Sequence, residues 1–235
     1  MMTRFLLLLF LFGSCAKPPV WEDSNTTVRS WGSMREALKL GQSHGRVGID
    51  DVLEPHTYGL GALANLEGEI TIIDGKVHIA EVSSGELIVR PHTSEDEATL
   101  LVTADAEMWE LFSVSAPSDY SQLEKDIAKL CEEQGLDVSQ PIPFWVKGTV
   151  SEMHLHVING ACPIATPEGP EPLRLQEKVA LVNLFGIYVE GAAGIFTHHD
   201  RNIHMHAIAP ASGNSGHVDA ITFHGVTSIW IPALP

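Results

Sequence analysis

Residues 144–158 change character as an extended chain requires. In the second half of this stretch Met153, Leu155 and Val157 fall on one side and Glu152, His154 and His156 on the other, the period of two that marks a strand with one face in a core. Residues 178–190 read as a second, buried strand (VALVNLFGIYV lies within it), and 202–209, 216–223 and 226–231 as three more. A run of strands this dense has to close on itself or on another layer.

The first half is punctuated differently. Ser33 and Glu36 form a capping box and Gly41 a stop, so 33–41 is a short helix. Residues 58–65, 68–73 and 76–82 read as strands, with Asp74-Gly75 as the hairpin turn between the last two. An acidic loop at 91–97 precedes a strand at 98–103. Residues 118–135 form the long helix, capped by Ser118, striped by Leu123, Ile127 and Leu130, and stopped by Gly135. The expected class is α+β, an N-terminal mixed β-sheet with helices (31–140) packed against a C-terminal β-barrel-like domain (141–235) carrying a three-histidine metal site. A Pro/Gly/Glu loop spans 162–172.

The chain begins MMTRFLLLLFLFGSC. Arg4 precedes an unbroken apolar run at 5–12, too short to span a bilayer and suited to a signal peptide. Gly13 and Ser14 before Cys15 resemble a bacterial lipobox, which makes residues 1–15 a lipoprotein-type signal, Cys15 the lipidation site and 16–30 a tether. An ordinary secretory signal is the alternative. The expected location is the bacterial cell envelope, periplasm or outer surface, with membrane contact only through the lipid. Three cysteines are too few for a disulfide scaffold, and nothing in the sequence brings Cys131 and Cys162 together. Lys and Arg number 14 against 30 Asp and Glu, a net charge of −16, which argues against a nucleic-acid partner.

The 12 histidines are not scattered evenly. His204-Met205-His206 places two imidazoles on one face of a strand. The turn formers PASGNSG (210–216) then let the chain reverse, and His217 opens the next strand beside the pair. Three imidazoles at about 2.0–2.1 Å from one ion make a zinc site with an open fourth position; nickel, copper or iron suit the same donors. Surface histidines on an edge strand are the plainer alternative. Asp219 shares the face of His217 and is placed to hold a ligand's second ring nitrogen. His154 and His156 either enter the same cavity or face water. His198 and His199 precede the ligand strand in a loop. Glu69 shares a face with Thr71 and Ile73, and on spacing alone is an ordinary exposed strand residue.

Two stretches together resemble the α-acetolactate decarboxylase family. One is Tyr58-Gly59-Leu60-Gly61 through Leu66-Glu67-Gly68-Glu69, with Asp74-Gly75 behind it; the other is His204-x-His206 followed by Gly216-His217-Val218. The resemblance covers roughly residues 30 to 225. It implies a zinc-dependent lyase converting 2-acetolactate to acetoin and CO2, with the metal stabilising an enediolate. The substrate class is a small 2-hydroxy-3-oxo acid, and a homodimer is the usual assembly. It implies His204, His206 and His217 as metal ligands and Glu69 as the catalytic glutamate. Two positions depart from the family's pattern. Aligning Gly148-Thr149 puts His156 where the family has an active-site arginine, which makes His156 a catalytic candidate. The family's C-terminal glutamate has no counterpart before Pro235. Two other functions stay open: a divergent zinc enzyme for another small oxo-acid, and a non-catalytic, lipid-anchored metal-binding protein.

Overall fold

Asp74 and Gly75 both take positive φ, 51° and 71°, the backbone of a tight two-residue hairpin whose twist matches its strands. The computed structural model describes residues 18–23, 25–106, 108–161, 169–191, 197 and 201–234. Strands β1 (Val20–Asp23) and β2 (Thr26–Trp31) lead into helix α1 (Met34–Lys39). Then come β3 (Val47–Gly48), β4 (Thr57–Leu63), β5 (Gly68–Ile73), β6 (Lys76–Ser83), β7 (Glu86–Arg90) and β8 (Glu97–Ala106). β9 (Trp109–Val114) and helix α2 (Tyr120–Glu133) follow. Four strands finish the chain: β10 (Ile142–Val157), β11 (Leu173–Tyr188), β12 (Ile203–Ala209) and β13 (Asn214–Pro232).

These strands form two sheets. The first runs β1-β2-β8-β4-β5-β6-β7, with β3 also on β8; the second runs β10-β11-β12-β13-β9, with β10 also pairing β13. Every pairing between these strands is antiparallel among the described residues, which corrects the expected mixed sheet. Hairpins join β4 through β7, and parallel neighbours would need long crossovers that the sequence between them does not supply. The described residues are mostly strand, and in the second half the pairing of β13 with β10 closes the path β10-β11-β12-β13 on itself, with β9 added at the edge of β13, in keeping with the expected barrel-like arrangement. β9 and α2 precede residue 141 yet belong with this sheet. β9 pairs Thr227–Pro232 of β13, and Tyr120, Leu123, Ile127 and Cys131 of α2 sit in its core.

The capping signals mark both helices. Ser33 accepts from the Glu36 backbone N–H. At α2 the cap is Asp119, one residue past the expected Ser118; its carboxylate accepts from the Gln122 N–H at 2.8 Å. A carboxylate there also meets the helix's positive end. Strands 216–223 and 226–231 are one strand. Between the pairs Lys147↔Ser228 and Thr149↔His224 the register shifts, and Gly225, at φ 79°, absorbs the bend.

The two sheets meet on a shared apolar layer. Tyr58, Leu60, Val102 and Ala104 from the first pack with Phe185, Ile187 and Val189 from the second chain segment. β4 therefore has no solvent face: all seven of its residues are buried. At Gly61 a Cβ would overlap the Leu100 carbonyl, so glycine is what lets β4 lie against β8. The expected signal peptide with Cys15, the loop cysteine Cys162, and His198 and His199 lie outside the described residues. Cys131 is buried on α2.

Candidate metal centre

β12 and β13 form the hairpin expected from PASGNSG, with His206 directly opposite His217 and Ala207 opposite Gly216. Ile203, Met205 and Ala207 enter the core of the second sheet. Alternation then turns His204 and His206 to the other face, which is also covered: His204, His206 and His217 are 4%, 1% and 5% exposed. The alternative of surface histidines on an edge strand is therefore not what the fold builds. Ring centroids lie 5.2 Å (His204–His206), 4.8 Å (His204–His217) and 5.6 Å (His206–His217) apart.

One tautomer is decided by the first sheet. His206 Nδ1 lies 2.8 Å from the Ile70 carbonyl oxygen. A carbonyl only accepts, so Nδ1 carries the proton and Nε2 presents its lone pair. Thr71 Oγ1 stands 3.4 Å from the same nitrogen and accepts from Ser215 Oγ at 3.2 Å. Burial pulls the His206 pKa down to about 3, which keeps the ring neutral. His204 Nε2 and His217 Nδ1 are 3.0 Å apart, near the roughly 3.3 Å that separates two nitrogens on one tetrahedral zinc. One donor atom from each ring lies within 4.8 Å of the other two. Three buried imidazoles, one already locked from behind, fit a divalent transition metal.

Glu69 reaches this cluster from β5. It is 4% exposed, because the second sheet covers a strand face that spacing alone leaves open to water. Its Oε2 lies 3.6 Å from His206 Nε2 and its Oε1 3.9 Å from His156 Nε2. The Ile158 backbone N–H donates to Oε1 at 3.4 Å. Burial pushes the Glu69 pKa up to about 7, against the charge of His156 and the Ile158 N–H, which pull it down.

His156 stands on β10 directly opposite His217, with ring centroids 4.6 Å apart. Its Nδ1 is 2.7 Å from Asp219 Oδ1, and Arg174 Nη1 is 3.3 Å from Asp219 Oδ2. Burial works to lower the His156 pKa, but the Asp219 bond and the Glu69 charge outweigh it and leave it raised. Asp219 thus holds the Nδ1 side of His156. A register shift between His154 and Leu155 makes Asp219 the extra residue of a bulge, and a bulge re-aims a side chain. His154 lies on the same face further along β10, exposed and 3.1 Å from Glu152.

Several contributors carry no signal in sequence. The Ile70 carbonyl and the Ile158 N–H are backbone groups, and Arg174 meets the site only because β11 sets it opposite His156. Together the elements give a nitrogen-rich cluster with one buried carboxylate and one oriented imidazole.

A family model described as alpha-acetolactate decarboxylase matches residues 32–231. The chain belongs to the alpha-acetolactate decarboxylase family. Solved structures of the same kind share its fold at low identity. A Staphylococcus aureus protein of unknown function, described as similar to alpha-acetolactate decarboxylase, superposes with a TM-score of 0.70 at 16% identity, covering 87% of this chain and 84% of that one. The alpha-acetolactate decarboxylase of Bacillus subtilis strain 168 gives 0.68 at 15% identity, with coverages of 86% and 84%. The acetolactate decarboxylase of Bacillus subtilis subspecies spizizenii gives 0.65 at 14%, with 87% and 85%. No curated protein matches the chain in sequence. It is a divergent acetolactate decarboxylase family member, and the three-histidine cluster lies inside the matched span.

Proposed function

We propose that the protein is a zinc-dependent acetolactate decarboxylase, releasing acetoin and CO2 from a small 2-hydroxy-3-oxo acid. The observation that carries this reading is the buried cluster of His204, His206 and His217 with Glu69 beside it, in a member of this family. His204, His206 and His217 would hold the ion, which supplies a Lewis acid for the negative charge that CO2 loss leaves behind. Nickel, copper or iron would find the same donors acceptable.

The remaining work falls to side chains. When the C–C bond to the carboxylate breaks, its electron pair stays on the substrate carbon. One proton must enter for each CO2 released. Glu69 is the carboxyl group nearest the three rings and is the candidate to hold and deliver that proton. His156, at 3.9 Å from Glu69, is the candidate to orient the substrate's anionic end, at the position where the family has arginine. The sheet interface around them excludes bulk water, which strengthens every charge interaction inside.

The test is direct. Metal-loaded protein incubated with acetolactate should form acetoin, read by colour, with one CO2 per acetoin. A second reading, a zinc enzyme acting on another small oxo-acid, is favoured by His156 standing in for a guanidinium; it predicts no acetoin but turnover of a related oxo-acid. Residues 1–15 support export, with lipid on Cys15; mass spectrometry of the native N-terminus should find the acyl groups.

A further inference from the structure

Three neighbouring strands of the second sheet bring Arg174, His156 and the pair His217–Asp219 into one row. Arg174 on β11 is the register partner of His156 on β10, and His156 is the register partner of His217 on β13. The bulge after His217 turns Asp219 to the same side, where its two oxygens are divided. Oδ1 takes His156 Nδ1 at 2.7 Å, and Oδ2 takes Arg174 Nη1 at 3.3 Å. The other ring nitrogen, His156 Nε2, is thereby aimed at Glu69. We infer that Asp219, held by Arg174, is a positioning residue that keeps the proton on His156 Nδ1 and fixes the orientation of the ring toward the reacting centre. The inference rests on the proposed decarboxylase reading for what His156 does, but not for how it is held.

The physical case is a difference of two ring orientations. An imidazole between two acceptors has two tautomers and can also flip. A carboxylate on Nδ1 accepts and never donates, so it keeps a proton on Nδ1, whether or not Nε2 carries one as well, and turns Nε2 to the substrate side. Arg174 gives Asp219 a fixed direction: a guanidinium on Oδ2 leaves Oδ1 for the ring. The same geometry argues against another role for this group. His156, His217 and Asp219 also have donor atoms within 4.8 Å of one another and so resemble a second cation site. The Arg174 guanidinium on the shared carboxylate opposes a second cation there.

Asp219→Asn separates these roles. The Arg174 guanidinium should hold the amide oxygen, so the NH2 faces His156 Nδ1 and donates to it. Nδ1 should then lose its proton, leaving the ring protonated on Nε2 alone. Nitrogen-15 NMR of the zinc-loaded protein, with His156 assigned by its loss in His156→Ala, should show a protonated Nδ1 in the wild type and an unprotonated one in the variant. Bound zinc should stay at the wild-type ratio, kcat should fall about 10- to 100-fold, and KM should change little. A wild-type His156 with bare Nδ1, an unchanged ring in Asp219→Asn, or an unchanged kcat beside an altered ring would overturn the inference. A bound-metal ratio that drops by one ion in the variant would overturn it too, in favour of a second cation site. If wild-type protein makes no acetoin, the decarboxylase reading fails by itself, while the NMR result still decides how His156 is held.

Discussion

His206, on the second sheet, donates from Nδ1 to the carbonyl oxygen of Ile70 on the first, at 2.8 Å. Ile70 is the residue after Glu69, so one bond fixes both the tautomer of a candidate ligand and the depth at which the carboxylate meets it. The two sheets are therefore joined at the site itself, and disturbing either should reach the other.

Removing one ring should remove the ion. His206→Ala or His217→Ala should reduce bound zinc to background by elemental analysis, and activity with it. A ligand that binds only the folded state raises stability in proportion to the logarithm of its concentration over Kd. Zinc should therefore raise the melting temperature of the wild type and leave both variants unmoved. Retention of a full equivalent of zinc in either would refute the ligand assignment.

Glu69→Gln should behave differently. The amide keeps the size of the side chain and can still accept from the Ile158 N–H, so the fold and the ion should both persist. Proton delivery would be lost, lowering kcat by about 100- to 10,000-fold. Steady-state kinetics on variant protein with a measured zinc content checks this. Near-wild-type turnover would remove Glu69 from the chemistry.

Gly216 explains its own place next to His217. A Cβ there would stand 2.6 Å from the His156 carbonyl oxygen and 3.1 Å from Val157 Cγ2. Gly216→Ala must push β13 away from β10, at a cost of about 1–3 kcal/mol, and carry His217 with it. Urea unfolding should show the loss, and zinc titration a weaker affinity. A variant as stable as wild type would mean the strands have slack that the contacts do not show.

An acid-sensitive clamp lies away from the metal centre. Arg90 grips Asp96 through Nη1 (2.8 Å) and Nη2 (2.9 Å), and Glu81 through Nε (2.8 Å) and Nη2 (2.7 Å). The Arg90 bonds, helped by Thr93, hold the Asp96 pKa at about 2, below its ordinary 3.8. The folded state thus binds fewer protons than the unfolded one between these values. The clamp's contribution is whole above about pH 4–5 and is lost as pH falls through about 2. Stability measured by urea across that range should fall with acid in the wild type and fall less steeply in Asp96→Asn. Identical slopes would show that the clamp adds nothing in acid.

Local chemistry made much of the architecture legible. Asp74-Gly75 demands φ > 0, Ser33 with Glu36 starts α1, and Gly135, at φ 76°, lies just past α2. Alternation in β10 and the His-x-His of β12 followed because side chains two apart share a face. β1 and most of β2 occupy the stretch expected as a tether, and like β3, β7 and β9 they are short and have no strong run of alternating apolar residues. Their pairing is fixed by neighbours distant in sequence, as where β9 completes a sheet built mostly from residues beyond 141.

The sequence by itself determined that His204, His206 and His217 would share a hairpin, because strand period and turn composition are local properties. Only the tertiary structure decided what surrounds them. Packing β5 against the hairpin buried Glu69 and supplied the Ile70 carbonyl. A one-residue bulge gave Asp219 to His156, and a strand register brought Arg174 beside them. Burial and register arise from contacts between segments far apart in the chain, and no short-range pattern encodes which of them will meet.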